Sequence, residues 1–425
     1  LPPIRVSQYA PNQGASLEEL VVLRGEKFDP TAKVSGGVGE ITAFWDIDAD
    51  GVPESEEIDP APFDLAPGEY DNAYVEFTDG QQTLRKNLPR IVKVGKPDHP
   101  DWHYGVTAHL NWTDFYSNNQ DLTRAAQMIA GSGLEAVRVE IVWPHIVYSE
   151  DAKPYWERAD NLVDIVRAEG LEILPVVVGT PPWERRHPDS IFSPPKHPQS
   201  YGEFVGMVQE RYGFDQIQIW NEPNQSFFFP GTSSETYTRM LRQGYLSAKF
   251  VDPNVYVVMA GLASEATVPA ADFLESVYEA GGRDYFDGAA RQPYSHPVWG
   301  GTQALENEVR LLRDVMNGYG DDEKLIWITE TGWASSGDVD EAMQASYLVE
   351  ILTAFRTAEG VGPVLLYNFR NKQFDDPFED NLGLVRTDWS VKQAYRSVQS
   401  YLEQQLPIHR SSNRVTGRHN VWIDQ

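Results

Sequence analysis

The sequence predicts an α/β protein, a (β/α)8 TIM barrel preceded by a small all-β sandwich. From His103 onward, eight short apolar runs, each fit for a fully buried parallel strand, alternate with segments of helical periodicity. Before about residue 95, brief apolar or alternating stretches are broken by Gly, Pro and Asp instead. No Gly-x-Gly-x-x-Gly follows the first of the eight runs, which argues against a doubly wound dinucleotide-binding sheet.

Taken in order, residues 1–95 are expected to form a sandwich of six or seven strands, with Leu20–Leu23 and Ala73–Phe77 among them. Ala66-Pro67-Gly68 and Thr78-Asp79-Gly80 are among the separators. Residues 96–102, Lys-Pro-Asp-His-Pro-Asp-Trp, read as a stiff polar linker in which proline blocks continued pairing. The barrel is assigned to 96–405, with strands at Tyr104–Ala108, Ala136–Val142, Glu172–Val178, Gln216–Trp220, Val255–Ala260, Phe286–Ala290, Leu325–Thr329 and Pro363–Asn368. Helical periodicity marks Asp121–Gly131, Trp156–Glu169, Ser200–Tyr212, Glu235–Phe250, Asp340–Ala358 and Lys392–Gln405. The basic, irregular stretch 406–425 is expected to be a tail packed across the barrel's base or onto the small domain.

A chain of 425 residues is long enough for a barrel of about 250–300 residues and one accessory module. Its formal charge of −28, from 63 acidic and 35 basic residues, repels nucleic acid and anionic membranes. No apolar run is long enough to span a bilayer. Without cysteine there are no disulfides, thiolate metal sites or thiol nucleophile, and no helical His-x-x-x-His pair supports zinc hydrolase chemistry. The chain begins Leu1-Pro2-Pro3 with no leader, so either a signal peptide was removed or the sequence was trimmed. Secretion is the expectation.

In a (β/α)8 barrel, reactive groups sit at the C-terminal strand ends. Strand four ends Trp220-Asn221-Glu222-Pro223-Asn224, and strand seven ends Thr329-Glu330-Thr331-Gly332-Trp333. Each places a carboxylate directly after a buried run, where a purely structural acid is costly to desolvate. Either glutamate alone is more often a helix N-terminal acid or a solvated loop residue. Together, on strands facing across the barrel mouth, they could flank one glycosidic bond.

At these motifs the sequence resembles the clan A glycoside hydrolases, over roughly residues 103–405. Trp220-Asn221-Glu222-Pro223-Asn224 is most similar to family 39, with family 5 relatives next. The strand-seven text is nearer to the Glu-Thr-Gly-Trp form of other clan members. The resemblance implies a retaining glycosidase with Glu222 as general acid/base, Glu330 as nucleophile and Asn221 on the sugar 2-hydroxyl. It places Arg138 beneath the nucleophile and Tyr294 as a donor to it. Relatives commonly carry His-Pro-Tyr where this chain has Gln292-Pro293-Tyr294, and His296 is a candidate substitute for that histidine.

Candidate sugar platforms at strand ends are Trp112, Trp143, Trp183, Trp333 and Tyr367, each of which is equally a core-packing residue. His109 and Asn111 could bind hydroxyls. The Pro-rich loop Thr180–His197, holding Trp183, Arg185 and Arg186, is long enough to wall the cleft. Glu330 beside Arg138 should stay ionised, and Glu222, drier and near a second carboxylate, should have a raised pKa. Catalysis of this kind needs no cofactor. The competing readings are a non-catalytic carbohydrate-binding barrel and a transglycosylase on the same site.

Asp46-Ile47-Asp48-Ala49-Asp50-Gly51, then five residues and Glu57, fits a calcium-loop pattern in which Asp46, Asp48, Asp50, the Val52 carbonyl and Glu57 would be ligands. A strand precedes it and Pro53 interrupts it, so it is not an EF-hand. Residues 37–80 resemble a polycystic-kidney-disease-type sandwich, given Phe44-Trp45-Asp46-Ile47-Asp48 and Pro67-Gly68-Glu69-Tyr70. Structural Ca2+ and a solvated acidic hairpin both remain open on this pattern.

Overall fold

A computed structural model describes residues 2–9 and 21–405; the expected tail at 406–425 lies outside them. Among the described residues, the N-terminal region forms eight short strands, one or two more than expected, because its Gly, Pro and Asp punctuation splits pairing into three small sheets. Strand β1 (Arg5–Tyr9) pairs with β3 (Ala32–Ser35), and β2 (Val21–Val22), β8 (Ile91–Lys93) and β5 (Gly68–Tyr70) form a second sheet. Strands β4 (Thr42–Asp46), β6 (Tyr74–Thr78) and β7 (Thr83–Asn87) form an antiparallel meander. Alternation along β4 and β6 turns Ala43, Trp45, Val75 and Phe77 into one apolar core with Phe28 and Ile91.

The rest is a closed eight-stranded parallel barrel: β9 (Tyr104–Thr107), β10 (Ala136–Val142), β11 (Glu172–Val178), β12 (Gln216–Asn221), β13 (Tyr256–Ala263), β14 (Gly288–Gln292), β15 (Ile326–Thr331) and β16 (Val361–Tyr367). All eight expected strands are present, with ends shifted by up to three residues. The return from each strand is helical. Helix α1 (Asn119–Gly131) begins at Asn118, whose Oδ1 accepts the Asp121 amide at 3.0 Å. After it come α2 (Trp143–Ile146), α3 (Glu157–Ala168), α4 (Pro198–Tyr212), α5 (Ser234–Val251), α6 (Ala270–Glu279), α7 (Gly301–Gly318), α8 (Glu341–Thr357) and α9 (Gln393–Gln405). In α7 the buried residues Leu305, Val309, Leu312 and Met316 recur at helical spacing and face the barrel. No helix among the described residues is long and apolar enough to cross a membrane.

The barrel interior divides into two ends. At the base, Trp102, Leu174, Tyr256, Trp327 and Leu365 form an apolar plug, with the Trp102 and Trp327 rings edge-to-face at 5.5 Å. The segment read as a polar linker thus delivers one large side chain that seals the barrel floor. At the mouth, inward-facing positions change character strand by strand. Strand β10 presents Arg138, Glu140 and Val142, β11 presents Val176 and Val178, and β12 presents Gln218.

Candidate active site

The strand-four motif makes a turn that its own residues lock. Trp220 and Glu222 hold φ of +72° and +44°, left-handed values that cost a non-glycine residue roughly 1–2 kcal/mol each. Hydrogen bonds hold the turn. The Glu222 amide donates to the Gly261 carbonyl at 3.0 Å, and Trp220 Nε1 donates to the Phe228 carbonyl at 2.9 Å. Fully buried Asn224 bonds Ala263 through both its amide groups and Val268 through Nδ2. Gly261 allows this close approach, since a Cβ there would lie 2.4 Å from Thr329 Oγ1. The result projects Glu222 into the cleft.

Across the mouth, Arg138 is 1 % exposed and divides its donors among three acceptors. Nη1 donates to Glu330 Oε1 at 2.6 Å, Nη2 to Asn221 Oδ1 at 2.7 Å, and Nε to Gln218 Oε1 at 2.7 Å. Glu330 Oε2 accepts from the Tyr294 hydroxyl at 3.3 Å. Gln292 Nε2 donates to Asn221 Oδ1 at 3.0 Å and holds the asparagine in place.

The two glutamates titrate as a pair. Burial pushes Glu222 up to about 8, aided by the Glu330 charge and opposed by Arg138 and Arg291. Burial also raises Glu330, but Arg138, His109 and Lys372 pull against it. Glu330 holds a charged donor and a hydroxyl donor and Glu222 has neither, so Glu222 is the last of the two to lose its proton.

A second polar group lies beside Glu330. His109 Nδ1 pairs with Glu140 Oε1 at 2.5 Å, while its Nε2 lies 3.1 Å from the Tyr367 hydroxyl. Lys372, 4 % exposed, donates to the Tyr367 hydroxyl and, at 2.9 Å, to Glu379 Oε2. Burial alone would raise Glu140, but the His109 and Arg138 charges hold it below the ordinary carboxylate value. Trp112 packs on the His109 ring at a centroid distance of 4.2 Å. Glu140 and Gln218 escaped the sequence reading, although Glu140 lies two residues beyond Arg138 on the same strand, a spacing that could have found it. Lys372 and Glu379 lie in the loop after β16 with no motif, and only the fold brings them in.

Both glutamates, Asn221, Arg138, Tyr294, His109, Asn111, Trp112 and Tyr367 line one cleft of about 1430 Å3. Six expected residues do not. Trp143 is 5 % exposed and stacks on Phe204 at 5.5 Å, serving the packing of α4 against the barrel. Trp183 sits in a short 3-10 turn, Pro182–Glu184, outside the cleft lining. Arg185 and Arg186 donate to carbonyls of their own loop, and the cleft wall from that loop is Ile191 and Phe192. His296 bonds Asp338 at 3.2 Å and stacks on Trp299, outside the cleft lining. Trp333 packs edge-on against His296 and Phe378, behind the cleft wall.

Near the meander, Asp46, Asp48 and Asp50 bring one carboxylate oxygen each within 4.8 Å of one another. Glu57 is not in that group. Pairing of Trp45 with Ser55 folds the segment as a hairpin, Glu57 is exposed, and its carbonyl accepts Trp45 Nε1 at 2.8 Å. Val52 is 67 % exposed, and its amide donates to Asp50 Oδ1 at 2.7 Å.

No family model and no curated protein matches this chain in sequence. Solved structures do match in fold. One is a family 39 glycoside hydrolase from the gut symbiont Bacteroides cellulosilyticus WH2, with 21 % identity and a TM-score of 0.54 over 90 % of this chain and 81 % of that one. A GH39 β-xylosidase from Caulobacter crescentus aligns at 18 % identity and TM-score 0.57 over 72 % of each chain. A GH5_18 protein from Streptomyces cattleya, in complex with Manβ1-4GlcNAc, aligns at 17 % and 0.58 over 72 % of this chain and 82 % of that one. The chain therefore shares the (β/α)8 fold of family 39 and family 5 glycoside hydrolases.

Proposed function

We propose that this protein is a retaining glycoside hydrolase acting by double displacement. The observation that carries the proposal is the asymmetry of the two cleft glutamates: Glu330 is held by Arg138 and Tyr294, while Glu222 keeps its proton up to about 8. Glu330 attacks the anomeric carbon and forms an ester as the glycosidic C–O bond breaks, and Glu222 gives its proton to the departing oxygen. Glu222, now a carboxylate, takes a proton from water, whose oxygen displaces Glu330 and restores both residues. Asn221, oriented by Arg138 and Gln292, is placed to hydrogen-bond the sugar 2-hydroxyl. The chemistry needs two carboxylates and water, and no cofactor. A binding-only barrel would have no use for a carboxylic acid kept protonated beside a carboxylate held by arginine.

Product stereochemistry by NMR tests this, on a panel beginning with β-xylosides and β-mannosides, the sugars named for structural neighbours. Retained configuration early in the reaction is expected; an inverted first product would make Glu330 a base rather than a nucleophile. The pH profile is a second check. Activity needs protonated Glu222, so kcat/KM should fall as pH rises through about 8. It also needs ionised Glu330, so the acid limb should lie above the ordinary glutamate value.

We also propose that the Asp46–Asp50 loop takes Ca2+ as a structural ion. Asp46 is 1 % exposed, and its Oδ1, beside the Tyr74 hydroxyl, makes no hydrogen bond of normal geometry. Three hard oxygens on one tight loop suit this cation. Millimolar CaCl2 should raise the unfolding temperature, by an amount equivalent to about 2.7 kcal/mol at one hundred times the Kd. Asp48→Ala should remove the effect, and an unchanged melting curve in wild type would refute the site.

A further inference from the structure

The cleft is larger than the 300–1,000 Å3 or so that encloses a drug-sized ligand, and its two halves differ chemically. Around Glu330 stand His109, Arg138, Glu140, Tyr294, Tyr367 and Lys372, donors and acceptors matched to sugar hydroxyls. On the other side, β11 and the loop after it contribute Val176, Val178, Ile191 and Phe192 and no polar side chain. Val142 joins Val176, Val178 and Ile191 in a small apolar cluster separate from the main core. The loop that carries Glu222 adds Phe227 and Phe228, whose rings meet Phe192 at 5.7 Å and 5.0 Å.

Aromatic faces by themselves would suit a sugar ring. Branched aliphatic side chains do not, because they give its hydroxyls no hydrogen-bond partner, and burying an unpartnered hydroxyl is unfavourable. Phe227 is 67 % exposed, and Tyr148, Tyr155 and Phe374, also more than a third exposed, line the same cleft. An open collection of large apolar side chains of this kind marks a binding surface.

The barrel order places this wall. In the closed ring, β11 is four strands from β15 in either direction, so the wall stands diametrically across from Glu330. In a double displacement the nucleophile approaches one face of the anomeric carbon and the leaving group departs from the other. The leaving group therefore exits toward β11, past Glu222 on neighbouring β12. We infer that the substrate is a glycoside with an apolar leaving group, an alkyl or aryl alcohol, seated against Val142, Val176, Val178, Ile191 and Phe192. This assignment rests on the glycosidase proposal for its direction and on the wall itself for its chemistry.

The test has two arms, on the full chain. First, calorimetric titration with 1-butanol, 1-hexanol and 1-octanol probes the wall with no sugar attached. Affinity should rise about fourfold per methylene, the value for burying one CH2 group. That slope should disappear in Val178→Asn and diminish in Phe227→Ser, the second altering a ring that is 67 % exposed and meets Phe192 of the wall at 5.7 Å. A flat series in wild type, or an undiminished slope in a folded Phe227→Ser variant, overturns the inference.

Second, n-alkyl glycosides of whichever sugar the panel shows to be cleaved hold leaving-group acidity nearly constant while apolar length grows. From butyl to octyl, kcat/KM should rise by about 100-fold or more. Cleavage without that rise would overturn the apolar leaving group and leave the glycosidase intact. Alkanol binding without cleavage of any glycoside would instead remove the glycosidase proposal and the leaving-group role with it.

Discussion

Glu330→Gln should abolish turnover, with kcat falling by roughly 10^5-fold or more, because the covalent intermediate forms on this carboxylate. The substitution keeps the side chain's shape and its bond from Arg138, so far-ultraviolet circular dichroism should be unchanged. Arg138 would lose its ionic partner while buried, and some loss of thermal stability should accompany the loss of activity. No burst of leaving group should be seen, even with a 2,4-dinitrophenyl glycoside that needs no acid. Turnover surviving in this variant would place the chemistry on another residue.

Glu222→Gln should act differently according to the leaving group. With an alkyl glycoside, loss of the general acid should reduce kcat by about 10^2- to 10^4-fold. With a 2,4-dinitrophenyl glycoside the first step should persist, the second should stall for lack of a base, and glycosyl-enzyme should accumulate. Azide, which needs no base, should restore turnover and yield a glycosyl azide. The basic limb near 8 should vanish with the residue that produces it.

Stability should move the other way. A group whose folded pKa is raised contributes stability in full below its unfolded value of about 4.3, and loses it as pH rises through its folded value. Wild type should therefore lose more stability between about 4.3 and 8 than Glu222→Gln, in which only Glu330 of the pair still titrates. Melting temperatures should converge near pH 4, and the variant should exceed wild type at pH 9.

Most of the barrel was legible because its strands are continuous apolar runs and its helices keep their period, both of which are local signals. Glu222 and Glu330 were legible for a related reason: each breaks an apolar run at its C-terminal end. The roles of Trp143 and Trp183 were not, since an indole after a strand looks the same whether it faces the cleft or, as Trp143 does, the adjoining helix. The position of Glu57 failed on tertiary grounds. Its spacing matched a ligand, yet the hairpin pairing of Trp45 with Ser55 leaves it out of the aspartate group. Lys372 was hidden because it sits in a loop with no motif, and the apolar wall because its members come from different strands and loops that only closure of the barrel brings together.

The three-way division of the Arg138 donors bears on how this site can change over evolutionary time or in the hands of an engineer. A library that varies Asn221 to alter sugar preference also alters the field on Glu330, because one guanidinium serves both. Changes at Gln218 and Gln292, neither of which needs to touch substrate, alter the same balance from behind. Substitutions among these five positions should be strongly epistatic, with double variants far from the sum of the singles. Specificity in this barrel should drift more freely along the β11 wall, where side chains meet through packing alone, than at the sugar ring.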